Sequence, residues 1–211
     1  ISRGLVGSEM CIRDRPSKLN KLKLKYCSVC GGAVVLKIPE DDNRERFCCD
    51  SCGAIHYENP KVVVGTLPFF ENKVLLCKRA IQPRLGLWTL PAGFYENGET
   101  LIQGALRETK EETNADVEAG ELYGIFNIPQ INQVYMIFLA KVGPNDFSVT
   151  SESSEIGLFD EEEIPWDILA FPWVNSSLKN FFADLKSGNF ILRTEDICLL
   201  YTSPSPRDLW I

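Results

Sequence analysis

The sequence has little positive charge and no long apolar run. Its 211 residues include 22 Lys and Arg against 29 Asp and Glu, which gives a net charge of −7. A general nucleic-acid-binding surface is normally basic, so this balance argues against one. No stretch approaches the roughly 18 consecutive apolar residues that a membrane-spanning helix needs. We therefore expect neither nucleic acid nor a membrane as a partner.

Cysteines are comparatively numerous, and four of the eight form two C-x-x-C pairs separated by 18 residues. Structural zinc takes four thiolates from two such turns, and the glycines that follow each pair allow the tight backbone around the metal. Paired spacing of this kind favours a metal site in a reducing compartment over a disulfide scaffold. The predicted zinc ligands are Cys27, Cys30, Cys49 and Cys52.

Two residues near these pairs are interpreted as structural. Cys48 would form a C-x3-C pair with Cys52, so Cys49 is the better ligand and Cys48 is read as a strand residue. His56 is the single histidine and follows the second pair directly. We interpret it as a strand residue near a domain junction rather than as a fifth ligand or a catalyst.

Both ends of the chain lack a helical or strand period. Residues 1–15 and 197–211 resemble translated sequencing-adapter readthrough, so they are left out of the reasoning about the fold. Genuine disordered tails are the alternative. We expect four regions: residues 1–25 as artefact and linker, 26–58 as a zinc ribbon, 59–190 as the main domain, and 191–211 as an artefact tail. The true N-terminus and any targeting peptide would then be missing.

The main domain alternates predicted strands with two predicted helices. One helix begins near Glu99 and Thr100, and an amphipathic helix over 173–186 closes the domain. A short turn or helix is expected at 161–164. Mixed strands with helices on both sides predict a three-layer α/β/α sandwich. The predicted strands are 62–70 and 74–77 around a turn, 88–91, 117–128, 134–142 and 156–159.

The segment 93–115 carries the most informative chemistry. Its spacing is G-x5-E-x7-R-E-x-x-E-E, and the helical period puts Glu108, Glu111 and Glu112 on one face. Like charges at this spacing destabilise a helix, which suggests a compensating cation. Oxygen-only ligands of high charge suit Mg²⁺ or Mn²⁺. A solvated acidic face is the alternative interpretation.

This spacing resembles the Nudix box of the Nudix hydrolases, G-x5-E-x7-R-E-U-x-E-E-x-G-U, where U is a bulky aliphatic residue. Thr109 stands at an aliphatic position and Asn114 at the late glycine. Asn tolerates the left-handed conformation that ends a helix, so that change is mild. The resemblance implies the Nudix sandwich fold with a mixed sheet and Mg²⁺-dependent hydrolysis of pyrophosphate bonds.

The resemblance also implies roles for the residues of the box. Glu108 and Glu112 are the principal metal ligands, with Glu111 as a direct or water-mediated one and the carbonyl of Gly93 close to the metal. Arg107 pairs with Glu99 and braces the loop against the helix; direct clamping of phosphate by Arg107 is the alternative.

The general base lies outside the box in many members of this superfamily. The segment Glu152-Ser153-Ser154-Glu155 precedes a predicted strand. Glu155 is our first candidate for the base and Glu152 the second; loop solvation is the alternative for both.

Beyond the box, the predicted ribbon is followed by NPK at 59–61, VLLCKR at 74–79, WTLPAGF at 88–94 and DEEEIPWDILAF at 160–171. With these motifs, residues 26–190 resemble plant-type zinc-ribbon Nudix hydrolases that act on ADP-ribose and FAD. This implies cleavage of FAD to FMN and AMP, or of ADP-ribose to AMP and ribose 5-phosphate. The residues that we expect to contact phosphate, ribose or base are Arg79, Arg84, Trp88, Phe94, Tyr95, Gln133 and Tyr135.

Two other functions are weighed against this one. NADH pyrophosphatases share the ribbon and the box, but their motif rich in Ser, Gln, Pro, Trp and Phe is not supplied by residues 126–133. A non-catalytic nucleotide sensor or an RNA-directed module would not need the intact carboxylates. We expect a homodimer inside the cell, in a plastid or in the cytoplasm.

Overall fold

The computed structural model describes residues 24–198, which form two compact units that divide after Pro60. The segments interpreted as adapter sequence therefore lie outside the described residues, apart from 197 and 198. Within residues 24–198, no helix is long and apolar enough to cross a membrane.

The first unit is a small three-stranded antiparallel sheet. Its strands are β1 (Val34–Lys37), β2 (Arg46–Cys49) and β3 (Ile55–His56), in the order β1-β2-β3. The two cysteine turns have the same build: Gly31 and Gly53 both have φ of 75°, and each donates its N–H at 2.9 Å to the carbonyl of the first cysteine of its turn. A side chain at this φ would be strained, so glycine is required at both turns.

The second unit contains the remaining strands and both α-helices. Its central sheet has the order β10-β5-β4-β9-β8-β11, with β6 paired to β5 and β7 paired to β4. The pairs β4–β9 and β8–β11 are parallel and the others are antiparallel, so the sheet is mixed as predicted. The elements are β4 (Lys61–Phe70), β5 (Lys73–Arg79), β6 (Trp88–Thr89), β7 (Ala92–Phe94), α1 (Leu101–Thr113), β8 (Glu118–Ile128), β9 (Gln133–Lys141), β10 (Ser153–Phe159), α2 (Pro172–Ser187) and β11 (Arg193–Asp196), with 3-10 turns at Pro129–Ile131 and Trp166–Ile168.

The helices cover opposite faces of the sheet. On one face Val64 and Phe138 pack with Ala105 of α1. On the other face Leu67 and Ile137 belong to the large core that contains Trp173, Val174, Leu178, Phe181 and Phe182 of α2. This alternation along β4 and β9 gives the predicted α/β/α sandwich.

Helix α1 begins and ends as the sequence predicts. Thr100 is the N-cap: its hydroxyl accepts the Gln103 N–H at 3.3 Å, and the Gln103 side chain accepts the Thr100 N–H at 2.7 Å. Asn114 ends the helix with φ of 54°, the left-handed conformation expected there. The unusual Thr109 is buried, and its hydroxyl lies 2.7 Å from that of Thr66 on β4. The polar atom at this aliphatic position is therefore satisfied.

The fold extends past residue 190, where the sequence led us to end the domain. β11 pairs in parallel with β8, and Ile197 is buried in the large core. Arg193 forms an ion pair with the buried Asp184 of α2, which also accepts a hydrogen bond from Tyr123 at 2.8 Å. Backbone pairing with β8, the buried Ile197 and these polar contacts with α2 hold the segment 193–197.

Candidate active site

Glu112 is the most buried carboxylate of the site. Its side chain is 7% exposed, and one oxygen accepts the Ala92 N–H at 2.9 Å. The other oxygen lies 4.0 Å from Arg79. Burial raises the pKa of Glu112 to about 8, and the hydrogen bond from Ala92 and the charge of Arg79 oppose this rise. Such a group favours a nearby cation whenever it is ionised.

Glu108 lies against the backbone of the loop that precedes α1. A Cβ atom built on Gly93 would lie 2.0 Å from a Glu108 carboxylate oxygen, so only glycine admits this approach. Burial raises the pKa of Glu108, and the adjacent Arg107 lowers it. Glu111, one turn from Glu108, is half exposed. Side-chain exposure therefore increases from Glu112 through Glu108 to Glu111 on one face of α1.

Arg107 joins the loop to the helix. Its guanidinium donates two hydrogen bonds to Glu99, at 3.0 and 2.8 Å, and a third to the Phe94 carbonyl at 3.1 Å. It also donates to Glu108 at 2.7 Å and to Glu111 at 3.2 Å. The hydrogen bonds from Arg107 lower the pKa of Glu99 to about 2. The structure thus shows the expected Arg107–Glu99 pair, with Arg107 bonded to two of the candidate metal ligands as well.

A cavity of about 450 Å³ opens beside these carboxylates. Its lining contains acidic groups, cations, aromatic rings and aliphatic side chains. Arg79, Arg84, Phe94, Gln133 and Tyr135 line it, so five of the residues predicted to bind substrate are brought together. The acidic residues that line it are Glu96, Glu108, Glu111, Glu112 and Glu152.

Two predicted substrate contacts, Trp88 and Tyr95, do not line this cavity. Trp88 is buried in the large core, where its ring meets the edge of Phe159 at 5.0 Å between centroids. The prediction of a stacking role for Trp88 is therefore wrong, because its strand directs the ring into the interior. The Tyr95 hydroxyl donates to the Glu99 carbonyl at 2.6 Å and supports the loop instead.

The two candidates for the general base lie in different surroundings. Glu152 lines the cavity, and its charge contributes to the raised pKa of Glu108 and of Glu112. Glu155 lies on β10, is largely exposed, and forms an ion pair with Lys78 at 2.7 Å. The β-bulge between Ser153 and Glu155 changes the alternation of β10, which sequence reasoning did not foresee. Glu152 therefore lies at the cavity, whereas Glu155, the first candidate from the sequence, does not line it.

Sequence reasoning missed the aromatic wall that the start of α2 supplies. Phe171 and Trp173 line the cavity; Trp173 stacks on Phe171 at 6.4 Å and lies 5.0 Å from the Tyr135 ring. It also missed Ile81, Gln82 and Pro83, which line another side. The aromatic residues at 171–173 are a visible signal in the sequence, but Trp173 is interpreted there only as part of the amphipathic helix 173–186 and Phe171 has no predicted site role.

The carboxylates fit a hard divalent cation in their chemistry. They offer oxygen ligands only, and the Gly93 backbone leaves room that a Cβ would fill. Among residues 24–198, the four cysteines are the only group of three or more Cys, His, Asp or Glu residues whose ligand atoms all lie within 4.8 Å of one another. The carboxylate oxygens are instead bonded to Arg107 and to the Ala92 N–H. Binding of a metal would exchange some of these contacts.

The ribbon cysteines have the arrangement of a tetrahedral metal centre. Cys27 and Cys52 have their sulfur atoms 3.7 Å apart, and those of Cys30 and Cys49 are 3.5 Å apart. Four thiol ligands from two turns fit structural zinc. His56 lies on β3 as expected, and its Nε2 lies 3.3 Å from the Cys27 sulfur. His56 therefore contacts the predicted zinc ligand Cys27 but is not one of the four clustered residues. Cys48 lies in β2, as interpreted from the sequence.

Comparison with known proteins identifies both units. The Nudix N-terminal zinc-ribbon family model matches residues 25–58, and the NUDIX domain model matches residues 59–185. A solved Nudix hydrolase from Nitrosomonas europaea is 53% identical, with a TM-score of 0.80, over 82% of this chain and 99% of its own.

Two curated relatives bear names that state an activity. An ADP-ribose pyrophosphatase from Methanocaldococcus jannaschii is 31% identical over 52% of this chain and 67% of its own length. A NAD-capped RNA hydrolase from Vibrio atlanticus is 32% identical over 67% of this chain, which spans about half (51%) of that relative. Because the NUDIX domain model covers more than half of the chain and its box residues surround the cavity, the protein belongs to the Nudix hydrolase family.

Proposed function

We propose that the protein hydrolyses the pyrophosphate bond of nucleoside diphosphate derivatives, with ADP-ribose and FAD as its substrates and Mg²⁺ or Mn²⁺ as its cofactor. One observation carries the proposal: a single cavity joins three Nudix-box carboxylates to cationic side chains and an aromatic wall. A pyrophosphate needs charge neutralisation, whereas a nucleoside needs a flat apolar surface.

The residues of this chain divide the work of such a reaction. Glu108, Glu111 and Glu112 would hold the cation, which when bound neutralises phosphate charge and activates water. Arg107 keeps Glu108 and Glu111 in place through its hydrogen bonds to both. Glu152 faces the same cavity and is our candidate for the base that accepts a proton from the attacking water.

The other walls of the cavity would hold the rest of the substrate. Arg84 is the cation that we assign to the diphosphate, because it lines the same cavity as the carboxylates that would bind metal. Tyr135 and Phe171 offer partly buried rings against which the nucleobase of the substrate would stack. Phe94 also lines the cavity, with 42% of its surface exposed. The archaeal relative named as an ADP-ribose pyrophosphatase supports that substrate; FAD is supported by the sequence resemblance alone.

A second candidate is the pyrophosphate bond of NAD, free or at the end of an RNA. Its support is the relative named as a NAD-capped RNA hydrolase, whose match covers 67% of the chain. Against it stands the segment 126–133, where Ile128 at the end of β8 and Ile131 after it line the cavity and the Ser-, Gln-, Pro-, Trp- and Phe-rich motif is not supplied. The acidic composition also disfavours RNA. A homodimer and a plastid or cytoplasmic location stay predictions.

A substrate panel tests the proposal. Purified protein is incubated with ADP-ribose, FAD, NADH and NAD-capped RNA, each with Mg²⁺ or with a chelator, and the products are separated by chromatography. We expect metal-dependent hydrolysis of ADP-ribose and FAD, with release of AMP, at higher kcat/KM than hydrolysis of the pyrophosphate bond of NADH or of the NAD cap. Highest kcat/KM on NADH or capped RNA would favour the second candidate. No metal-dependent product from any compound would reject both.

A further inference from the structure

The loop of residues 80–87 forms one wall of the cavity and is closed at its base by β5. Ile81, Gln82, Pro83 and Arg84 all line the cavity. The Arg79 N–H donates to the Leu87 carbonyl at 3.0 Å, and the Gly86 N–H donates to the Arg79 carbonyl at 2.8 Å. The Leu87 N–H also donates to the Arg84 carbonyl at 3.1 Å. These three backbone bonds fix the ends of the loop, but none of them reaches its middle, residues 81–83, which line the cavity.

The Arg79 side chain reaches that middle and two further elements. Its Nε donates to the Pro83 carbonyl at 2.7 Å. One terminal nitrogen lies 4.0 Å from Glu112 of α1, and the guanidinium lies 5.6 Å from the centroid of the Phe171 ring. Arg79 therefore touches the loop, the metal-binding helix and the aromatic wall at once.

These contacts leave Arg79 little freedom to follow a phosphate. Its side chain is only 12% exposed, and Nε is already used by the backbone of the loop. Arg84, in contrast, lies on the loop itself with φ of 65°, so its position depends on the shape of the loop. The Ala80 N–H also donates to the Glu152 carbonyl at 2.7 Å, which links the same loop to the candidate base.

We infer that Arg79 is a positioning residue: it holds the 80–87 loop in the shape that fits the diphosphate substrate and aligns Arg84, rather than binding phosphate itself. The inference rests on the proposed function for its kinetic consequence, but not for the contact with Pro83. A planar guanidinium can bond to Pro83 while it keeps its charge beside Glu112. A lysine keeps only the charge, because its single ammonium lacks the fork.

The test compares Arg79→Lys with wild type, with Arg84→Lys and with Lys78→Gln. Lys78 is the neighbouring cation on β5, but it pairs with Glu155 outside the cavity, so its variant should match wild type. Amide hydrogen exchange at Gly86 and Leu87 reports the loop, measured on zinc-loaded protein without Mg²⁺, Mn²⁺ or substrate. Steady-state kinetics on ADP-ribose or FAD report KM and kcat, and exchange in α1 and β9 reports the overall fold.

For Arg79→Lys we expect faster exchange at Gly86 and Leu87, normal exchange in α1 and β9, and about a tenfold rise in KM with kcat nearly unchanged. Arg84→Lys should raise KM without changing loop exchange. Unchanged loop exchange in Arg79→Lys would overturn the inference, and a raised KM beside it would indicate direct phosphate contact. If Arg79→Lys disturbs α1 and β9 as well, Arg79 has a general structural role and the inference also fails. Absence of turnover in wild type would reject the proposed function, while the exchange comparison would still decide the role of Arg79.

Discussion

At the scale of single residues, the site depends on a buried carboxylate, that of Glu112. Glu112 lies in the interior, with one backbone donor and one distant arginine as its counterparts. Removing a carboxylate from water costs free energy unless hydrogen bonds or cations compensate. Two partners compensate only partly, which is why the pKa of Glu112 stays raised. A cation would complete this compensation, and the stability of the metal-free protein should reveal the deficit.

The first prediction concerns that stability as a function of pH. The pKa of Glu112 is about 8 in the folded protein, against an ordinary value of 4.5 in the unfolded chain, so folding favours the protonated form. Stability due to this group is complete below pH 4.5 and is lost as pH rises to about 8, by at most about 5 kcal/mol. We expect the Tm of zinc-loaded protein without Mg²⁺ to fall across this pH window relative to the Tm of Glu112→Gln. Added Mg²⁺ should restore the Tm of the wild type at pH 8. Parallel Tm curves for the two proteins would contradict this account.

A second prediction uses two glutamates of one segment as a matched pair. Glu152 faces the cavity, whereas Glu155 pairs with Lys78 outside it. Glu152→Gln should lower kcat about a hundredfold, as expected when a general base is lost, with metal affinity little changed. Glu155→Gln should keep kcat within about twofold. The assignment fails if the two variants show the reverse pattern in steady-state assays.

The sequence identified most of the charged residues at this scale, because the box spacing is tied to one helix. It could not rank Glu152 and Glu155, since their placement depends on a bulge in β10. Nor could it show that Trp88 turns inward. An aromatic residue beside a loop has the same sequence signature whether it faces the core or a ligand.

At the scale of elements, the close contact between the loop and α1 positions the carboxylates. Gly93 on β7 allows Glu108 to approach the backbone, and Arg107 bonds to the Phe94 carbonyl and to Glu99. These contacts hold α1 in a fixed position relative to β7. This geometry makes the glycine a requirement of the site rather than of the fold.

The third prediction follows from that requirement. In Gly93→Ala, the new Cβ would collide with the Glu108 carboxylate, which is the flexible end of a side chain and can move away. We expect Mn²⁺ affinity, measured by calorimetry, to fall about tenfold or more, with Tm changed by only a few degrees. Gly120→Ala on β8 is the control, because its nearest neighbour would be a Leu139 carbonyl at 3.1 Å, away from the cavity. Metal affinity equal in both variants would show that Glu108 does not need this approach.

Elements with strong periodicity were predicted closely, and polar ones were not. Helix α2 and the long strands β4, β8 and β9 fall within about a residue or two of their predicted bounds, because each buries a clear apolar face. β11 was missed, since contacts between Glu195 and the side chains of Ser176 and Asn180 hold it. Such pairings join residues that are distant in sequence, and no local pattern reveals them.

At the scale of the whole molecule, the chain consists of two units that rely on different sources of stability. Within the described residues, the ribbon has a small sheet and exposes Val35, Leu36 and Ile38, so it has little core of its own. The second unit encloses a large hydrophobic core. A domain as small as the ribbon usually needs a metal to fold.

The fourth prediction is that zinc stabilises the ribbon but not the second unit. We expect about one zinc per chain by elemental analysis, and chelation should abolish amide protection in residues 25–58 while residues 61–198 keep theirs. Cys49→Ser should have the same local effect, and Cys48→Ser should leave zinc content unchanged because Cys48 is outside the cluster. Loss of protection throughout the chain on chelation would contradict the separation.

The central claim is that the box carboxylates and a divalent cation hydrolyse a pyrophosphate bond. Its most direct test is the rate of product release in H₂¹⁸O from ADP-ribose and from FAD, for wild type and Glu112→Gln. We predict AMP release only with Mg²⁺ or Mn²⁺, one ¹⁸O atom on one of the two product phosphates, and a loss of at least about a hundredfold in Glu112→Gln. Product formation that needs no metal, or an undiminished rate in Glu112→Gln, would contradict the claim.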